Sequence, residues 1–167
     1  NRVEYMFSVI NAHISDDMLK SMTKAKTADE REKVLLTIVK PYLRIDIDAN
    51  PVRHYRPRYM NGTKVYKGQT YFFDDFYFAE NNTIVGLKDI KTESENDVLF
   101  IMMFDMNGIL PPNRWGKDIF GVNIYDGGKI EPFGFDKSMQ ELKKDCSSNG
   151  TGVYCSYYYK IGGGFEE

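Results

Sequence analysis

Residues 97–126 read DVLFIMMFDMNGILPPNRWGKDIFGVNIYD, two strand-forming stretches separated by a loop of turn residues. The first stretch, residues 97–106, is a nearly continuous apolar run, which is typical of a strand buried on both faces. The second, residues 118–126, is followed by Gly127-Gly128 and then KIEPFG at 129–134, which predicts a hairpin with a tight turn. Together they predict the central strand and the hairpin of an antiparallel sheet.

The loop between these strands predicts a structural brace. Pro111 and Pro112 each fix a backbone φ angle, so they stiffen the chain at this point. Trp115, beside Gly116, adds a large apolar ring with one N–H that needs a partner. We expect this stiff, aromatic loop to hold the central strand against the hairpin.

A calcium site is the alternative interpretation of the same loop. Calcium binds about six to eight oxygen atoms, many of them supplied by loops. The candidate ligands are Asp105, Asn107, Asn113 and Asp118. The spacing is not that of an EF-hand, because Gly116 stands where that motif has a glutamate. Asp and Asn also cap turns through their own side chains, so we favour the interpretation as a structural brace over the interpretation as a calcium site.

Further strand-forming segments lie on both sides of this region. Residues 70–79, TYFFDDFYFA, and residues 83–87, TIVGL, are separated by the turn residues Asn81-Asn82. After the hairpin, residues 137–144 predict a short helical turn, and residues 153–161, VYCSYYYKI, predict a last strand.

The first 44 residues predict helices. In residues 1–22 apolar side chains recur at three- and four-residue intervals and form a stripe on one helix face. The stripe includes Phe7, Ile10, Ile14 and Met18. Thr27 opens T-A-D-E, a capping-box signature for a short second helix, and Pro41 should end or kink that helix near Lys40.

The whole chain, residues 1–167, is therefore predicted to form one α+β domain, with the helices packed on an antiparallel sheet. Its parts are helices over 1–44, a loop over 45–70 and a β-sheet region over 71–162. Within the loop, YRPRY at 55–59 is basic and aromatic, and we interpret it as cation–π packing on the surface, with a binding patch as the alternative.

Two cysteines, Cys146 and Cys155, are separated by eight residues in which Gly150 and Gly152 let the chain reverse. A disulfide across this loop would stabilise the fold by about 2–3 kcal/mol and would imply an oxidising compartment. The alternative is a pair of free thiols in a reducing cell. CxxC spacing and a nearby histidine are both absent, which argues against zinc and thioredoxin-type chemistry.

Composition excludes several classes of protein. A net charge of −2 with mixed signs creates no field that would collect nucleic acid. No window approaches the roughly eighteen apolar residues of a membrane span. The sequence begins at Asn1 without Met or a signal peptide, and we expect that a preceding segment carried a targeting or anchoring signal.

The sequence also argues against an enzyme. His13 and His54 lie far apart, with no cysteine or serine context that would form a dyad. GxSxG, HExxH, Walker A and dinucleotide-binding motifs are absent. Asp74 and Asp75 would point to opposite faces of a strand, so an edge-strand or turn role is favoured over catalysis.

The ordered set of signals over residues 80–162, about half the chain, resembles bacterial type IV pilin-like proteins and type II secretion pseudopilins. The segment FDMNGILPPNRWGKDIFGVNIYDGGKIEPFG is similar to the family pattern of Asp-x-Asn-Gly, Pro-Asn and Gly-x-Asp-x-Phe, then a strand, a Gly turn and a Pro-x-Gly close. In this sequence those places are held by Asp105, Asn107, Gly108, Pro112, Asn113, Gly116, Asp118, Phe120, Gly127, Pro132 and Gly134. NNTIVGL at 81–87 and DCSSNGTGVYCSYYYKI at 145–161 are similar to the family's flanking segments.

This resemblance implies a long N-terminal helix whose apolar first half anchors the precursor in the bacterial inner membrane and later packs in a filament core. Residues 1–22 would then be the amphipathic second half of that helix, and its apolar stripe would pack subunits together through Phe7, Ile10, Ile14 and Met18. The implied function is a structural subunit of a pilus or pseudopilus, outside the cell, on its surface or in the periplasm. Its partners would be other pilin-like subunits, and it would need no cofactor unless calcium binds. The alternative function is a secreted or cell-surface module that binds carbohydrate or another ligand.

Overall fold

The structure is a computed structural model that describes residues 27–46, 52, 54–90, 97–125 and 129–164, together with the single positions 5 and 8. The apolar stripe expected to pack subunits, Phe7, Ile10, Ile14 and Met18, lies outside the described residues. The helices and strands, in chain order, are α1 (Ala28–Leu43), β1 (Phe76–Phe78), β2 (Ile84–Asp89), β3 (Val98–Asp105), β4 (Ile119–Tyr125), β5 (Ile130–Pro132), α2 (Met139–Asp145) and α3 (Cys155–Lys160).

The five strands form one antiparallel sheet in the order β1-β2-β3-β4-β5. All eight residues of β3 are buried, because this strand pairs on both sides and both of its faces are covered. The predicted α+β class, the central strand and the β4–β5 hairpin are therefore confirmed. The register places Asp105 opposite Ile84 of β2 on one side and Ile119 of β4 on the other.

Helix α1 packs on one face of this sheet. The hydroxyl of Thr27 accepts the Glu30 N–H at 3.2 Å, so the predicted cap is confirmed. The helix continues to Leu43 with Pro41 inside its last turn, and the expected end near Lys40 is wrong by three residues. One missing N–H in a final turn removes a single helical hydrogen bond, and the αL residue that follows Leu43 ends the helix instead.

The alternation of β3 side chains divides the core into two layers. Phe100, Met102 and Phe104 face α1 and pack with its apolar residues. Ile101 and Met103 face the opposite layer, which consists mainly of loop residues. The helical part of the first layer is Leu35, Leu36, Val39 and Leu43.

A buried ion pair fixes the direction of α1 on the sheet. The Arg31 guanidinium, near the start of α1, makes two hydrogen bonds to Asp89, the last residue of β2. The Asp89 carboxylate is 1% exposed. The beginning of α1 therefore lies at the end of the sheet where β2 finishes.

The first predicted strand is much shorter than residues 70–79. Only Phe76–Phe78 form β1, which pairs with β2 as the first strand of the five-stranded sheet and also makes an isolated antiparallel bridge to Asp46 through Phe78. Asp74 and Asp75 precede it as exposed residues, in line with the expected edge or turn role. The described residues of the 45–70 loop form turns and isolated bridges rather than helices or regular strands.

The predicted last strand is wrong, because residues 155–160 form the helix α3. The β-propensity of three consecutive tyrosines is overridden by tertiary contacts. Ser156 Oγ accepts the backbone N–H of Gly121 in β4 at 3.0 Å, and Tyr158 is 4% exposed. The helical turn expected over 137–144 is present as α2, which begins at the capping residue Ser138.

The disulfide Cys146–Cys155 is present and joins the end of α2 to the start of α3. Both cysteines are fully buried. Among the described helices, none combines the length and the apolar character needed to cross a membrane.

Candidate functional site

The candidate site is the loop from β3 to β4, whose two ends are held together by the sheet. Asp105 is the last residue of β3 and Asp118 immediately precedes β4. The Met106 N–H donates to Asp118 O at 2.8 Å. Because antiparallel pairing brings these strand ends side by side, two carboxylates thirteen positions apart in sequence meet at the base of the loop.

Asn107 joins these two carboxylates. In the amide orientation that matches donors to acceptors, its Nδ2 donates to Asp105 Oδ1 at 2.7 Å and to Asp118 Oδ2 at 2.9 Å. The Asp118 carboxylate also accepts backbone N–H groups from Asn113 at 2.7 Å and Arg114 at 2.6 Å. The loop is therefore closed by side-chain acceptors that satisfy its own backbone donors.

Tyr55 supplies a further contact from a distant part of the chain. Its hydroxyl donates to Asp105 Oδ2 at 2.5 Å, and both residues are buried. Burial raises the pKa of Asp105 to about 7, and the charge of Asp118 adds to the increase. Burial also raises the pKa of Asp118, while the N–H groups it accepts oppose the increase. The pKa of Tyr55 is raised by burial and by the charge of Asp105, so the hydroxyl keeps its proton and acts as a donor.

The four expected calcium ligands occupy one loop but present different groups. Asp105 and Asp118 are brought together, whereas Asn107 turns its amide nitrogen toward them. Asn113 Nδ2 donates to Ile109 O at 3.2 Å, and its Oδ1 is a buried acceptor without a partner among the described residues. All four carboxylate oxygens already accept hydrogen bonds from the chain. The described residues contain no group of three or more His, Cys, Asp or Glu side chains that could hold a metal ion.

Trp115 lies at the centre of the brace and is fully buried. Its ring contacts Tyr71 and Phe133, each with centroids 5.7 Å apart. Its backbone N–H donates to Arg58 O at 3.0 Å. The expected side-chain partner is not found in the described part of the chain, because the buried Nε1 has no acceptor there.

Two glycines of the loop are required by close packing. Gly116 has φ +81°, and a Cβ there would lie 2.4 Å from Met60 Cε and 2.7 Å from Cys155 Sγ. Gly108 has φ +68°, and a Cβ there would lie 2.3 Å from the backbone oxygen of Asn82. The brace therefore packs directly on the disulfide at one end and on the turn before β2 at the other.

The segment YRPRY, residues 55–59, is a part of the site that sequence reasoning placed on the surface. Tyr55 is 3% exposed, and the Arg58 N–H donates to Asn113 O at 3.0 Å, so the segment runs along the brace. The cation–π contacts among the described residues come from Lys129 and Lys137 instead. Only the aromatic and basic composition of the segment indicated that it had partners, and nothing local identified them.

Two surfaces beside the brace are open to other molecules. Ile109 and Leu110, at the tip of the loop, are 60% and 63% exposed. A cleft of about 320 Å³ has Tyr55 and other aromatic side chains, one guanidinium and one carboxylate in its wall. Its lining includes Tyr55, Arg56, Tyr71, Phe72, Phe73 and Asp74.

No protein-family model, no curated protein and no solved structure matches this chain.

Proposed function

We propose that this domain is a structural subunit of a type IV pilus or a type II secretion pseudopilus-like filament, and that it acts by packing against neighbouring subunits. The observation that carries the proposal is the convergence of the positions that resemble the family. The Asn107 amide donates hydrogen bonds to both Asp105 and Asp118, and Gly116 packs on Cys155 of the disulfide. Residues that are spread along the sequence pattern thus form one physical unit.

In this proposal the hydrogen-bonded unit serves to keep the loop between β3 and β4 rigid. A filament subunit has to present its contact surfaces in a fixed geometry, and a loop gains that geometry when its own donors and acceptors are satisfied internally. The brace holds the apolar pair Ile109 and Leu110 outward, where a neighbouring pilin-like subunit can cover them. The disulfide supports an oxidising compartment, which fits a cell-surface, extracellular or periplasmic location. In this proposal the inner membrane holds the precursor through a segment before Asn1.

The direct test is immunogold electron microscopy of surface filaments sheared from the producing cells. The proposal predicts regular labelling along the filaments with antibodies against this domain, and loss of the labelled filaments in a deletion strain. Double substitution of Ile109 and Leu110 by Ser should reduce the number of filaments, because it removes exposed apolar contacts without touching the core. The matched control is Tyr66→Ser, which changes an aromatic residue that is 62% exposed elsewhere. A chain that is found only as a free protein, with no labelled filaments, contradicts the proposal.

A carbohydrate- or ligand-binding module is the second candidate, and the aromatic cleft favours it. Sugars and small ligands stack on aromatic faces and are oriented by a few polar groups, and Phe72, Arg56 and Asp74 offer both. Calorimetric titration of the domain with bacterial oligosaccharides tests this candidate. Saturable binding that Phe72→Ala abolishes and Tyr66→Ala leaves unchanged would support it. If the titration shows only heats of dilution, the ligand-binding candidate is rejected.

Calcium binding is the second proposed role of the loop, ranked after its role as a structural brace. The observation that favours it is the buried pair of carboxylates, beside a buried Asn113 oxygen without a partner in the described chain. An ion would have to displace the Asn107 amide from both carboxylates. If calcium binds, its addition should raise the melting temperature at pH 8, and Asp118→Asn should remove that rise. An unchanged melting temperature leaves the hydrogen-bonded brace as the role of these residues.

A further inference from the structure

Three cationic residues lie on adjacent backbone segments at the end of the sheet where β3 finishes. Arg58 forms an antiparallel bridge with Lys64 on one side and a parallel bridge with Arg114 on the other. The Arg58 segment is fixed to the brace, since its N–H donates to Asn113 O and its carbonyl accepts the Trp115 N–H, both at 3.0 Å. We call Arg58, Lys64 and Arg114 the basic strip.

The two guanidinium groups of the basic strip converge on Gly62. Arg58 Nη1 donates to Gly62 O at 3.0 Å, and a Cβ at Gly62 would lie 3.4 Å from Arg114 Nη2. In the part of the chain that the structure describes, neither guanidinium pairs with a carboxylate. Like charges on neighbouring strands destabilise a fold, and a guanidinium pair presents forked donors that match carboxylates. The basic strip is therefore suited to an anionic partner.

A cleft of about 200 Å³ elsewhere on the surface has the opposite charge. Asp29 and Glu32 of α1 and Asp75 before β1 line it, with Lys33 as a cationic lining residue. Glu32 Oε1 accepts the Asp89 backbone N–H at 2.7 Å, which fixes its position. Burial raises the pKa of Glu32, and the charges of the neighbouring carboxylates add to the increase. A cation brought into this acidic cleft would relieve that repulsion.

The two charged surfaces lie at opposite ends of the sheet. At one end of β2, Ile84 is opposite Asp105, where the brace and the basic strip begin. At the other end of β2, Asp89 is bonded to Arg31 in the first turns of α1, next to the acidic cleft. The six residues of β2 span roughly 20 Å, so the ends are well separated. The basic strip and the acidic cleft thus lie near opposite ends of β2.

We propose that the basic strip of one subunit docks on the acidic cleft of a second copy of this chain, head to tail. This inference rests on the proposed filament function and names one contact of that filament. A second copy is favoured by the charge complementarity between two surfaces that the same chain carries at opposite ends of the sheet. A contact between two different patches of identical subunits is heterologous, and it repeats as a ring or as an open filament. Surface charges of this kind set orientation and partner choice more than affinity.

The first test is disulfide trapping in the full-length protein in producing cells. Both cysteines of this sequence are joined in Cys146–Cys155, so Lys64→Cys and Asp75→Cys are the two free thiols that the double variant adds to it. Oxidation should give dimers, trimers and longer products on a denaturing gel. The matched control pairs Asp75→Cys with Lys143→Cys, an exposed lysine on α2 outside the basic strip, and should give no such series. A series of equal strength from the control pair, or none from the test pair, overturns the proposal.

The second test exchanges the charges. An acid-reversed variant carries Asp29→Lys and Asp75→Lys, and a base-reversed variant carries Lys64→Glu and Arg114→Glu, with circular dichroism used to establish that each folds. Each variant alone should lower filament yield about tenfold, the change produced by about 1.4 kcal/mol of lost contact energy. Co-expression should restore the yield, because each variant supplies the surface that the other lacks. Wild-type yield from either variant alone, or no recovery on co-expression, overturns the proposal.

The outcomes of these experiments distinguish a failure of the contact between the basic strip and the acidic cleft from a failure of the proposed filament function. Immunogold-labelled filaments without trapped products from the Lys64→Cys/Asp75→Cys variant would leave the filament function standing and reject this contact. Trapped products without any filaments would support the contact and reject the filament function. Trapping of a different protein through Lys64→Cys alone would reject a second copy as the partner of the basic strip.

Discussion

Replacing Asp105 by Asn tests whether the brace holds a proton at neutral pH. Burial, together with the charge of Asp118, raises the pKa of Asp105 to about 7 in the folded protein, against about 3.9 for an unfolded chain. The folded state therefore binds this proton more tightly than the unfolded state. Its contribution to stability is fully present below about pH 4 and is lost as the pH rises to about 7.

The size of the effect follows from the same shift. At pH 5 the folded protein keeps the proton that the unfolded chain has released, whereas at pH 7 the folded carboxyl is half ionised, so the free energy of unfolding falls by about 2.3 kcal/mol over this interval at 1.36 kcal/mol per pKa unit. The free energy of unfolding of a domain of this size falls by about 2 kcal/mol per molar urea, so the urea concentration at the unfolding midpoint should be about 1 M lower at pH 7 than at pH 5. Asp105→Asn removes the ionisation, and most of this fall should disappear. Asp118 and Glu32, whose pKa values are also raised, contribute what remains in the same direction.

Urea unfolding at several pH values in EDTA, followed by tryptophan fluorescence, measures this directly. Trp115 is the only tryptophan of the chain and is fully buried in the brace, so its emission reports on this region. Asp74→Asn, which changes an exposed carboxylate, is the matched control and should retain the wild-type pH dependence. An equal fall in Asp105→Asn would refute the reasoning, as would a wild-type midpoint that rises between pH 5 and pH 7.

Three further predictions concern the contacts around the brace. Replacing Cys146 and Cys155 by Ser should lower the free energy of unfolding by about 2–3 kcal/mol in urea titrations, and an unchanged midpoint would show that the disulfide does not support the fold. Gly116→Ala should cost about 1–3 kcal/mol more than Gly68→Ala, because both have positive φ but only the first would meet neighbouring atoms; equal melting temperatures would contradict the packing. Arg31→Met should destabilise the domain by about 3–5 kcal/mol in the same titration, since it removes the guanidinium that is hydrogen-bonded to a buried carboxylate, and a change below about 1 kcal/mol would indicate an exposed pair.

The parts of the fold that could be predicted are those decided by local pattern. The apolar run over 97–106 predicts a central strand because a strand that is paired and covered on both sides needs few polar positions. The turn residues that flank the hairpin, and the Thr27 cap, act within a few residues of themselves. In each case the residues that form the sequence pattern lie close together in the chain and also contact one another in the structure.

The C-terminal helix shows why the rest could not be predicted. Three consecutive tyrosines favour a strand, yet α3 forms because Ser156 reaches the Gly121 N–H and Tyr158 enters the core. Both contacts depend on where β4 lies, and that position is a property of the assembled sheet. The short disulfide loop was predictable from spacing alone, but the conformation on its C-terminal side was not.

The candidate site was predictable in its residues but not in its bonding. Asp105 and Asp118 flank a loop between adjacent antiparallel strands, so their proximity follows from the hairpin-like return of the chain. The orientation of Asn107 between them is set by hydrogen bonding that spacing does not encode. Tyr55 lies fifty positions before Asp105, and no local pattern connects the two.

The most direct measurement of the central claim, that this chain is a filament subunit, is a helical reconstruction of filaments purified from producing cells. We expect density that repeats once per subunit and fits the five-stranded sheet with α1 on one face and the Ile109–Leu110 tip against a neighbour. Filaments whose density cannot hold this domain, from cells in which the chain sediments as a monomer, would contradict it.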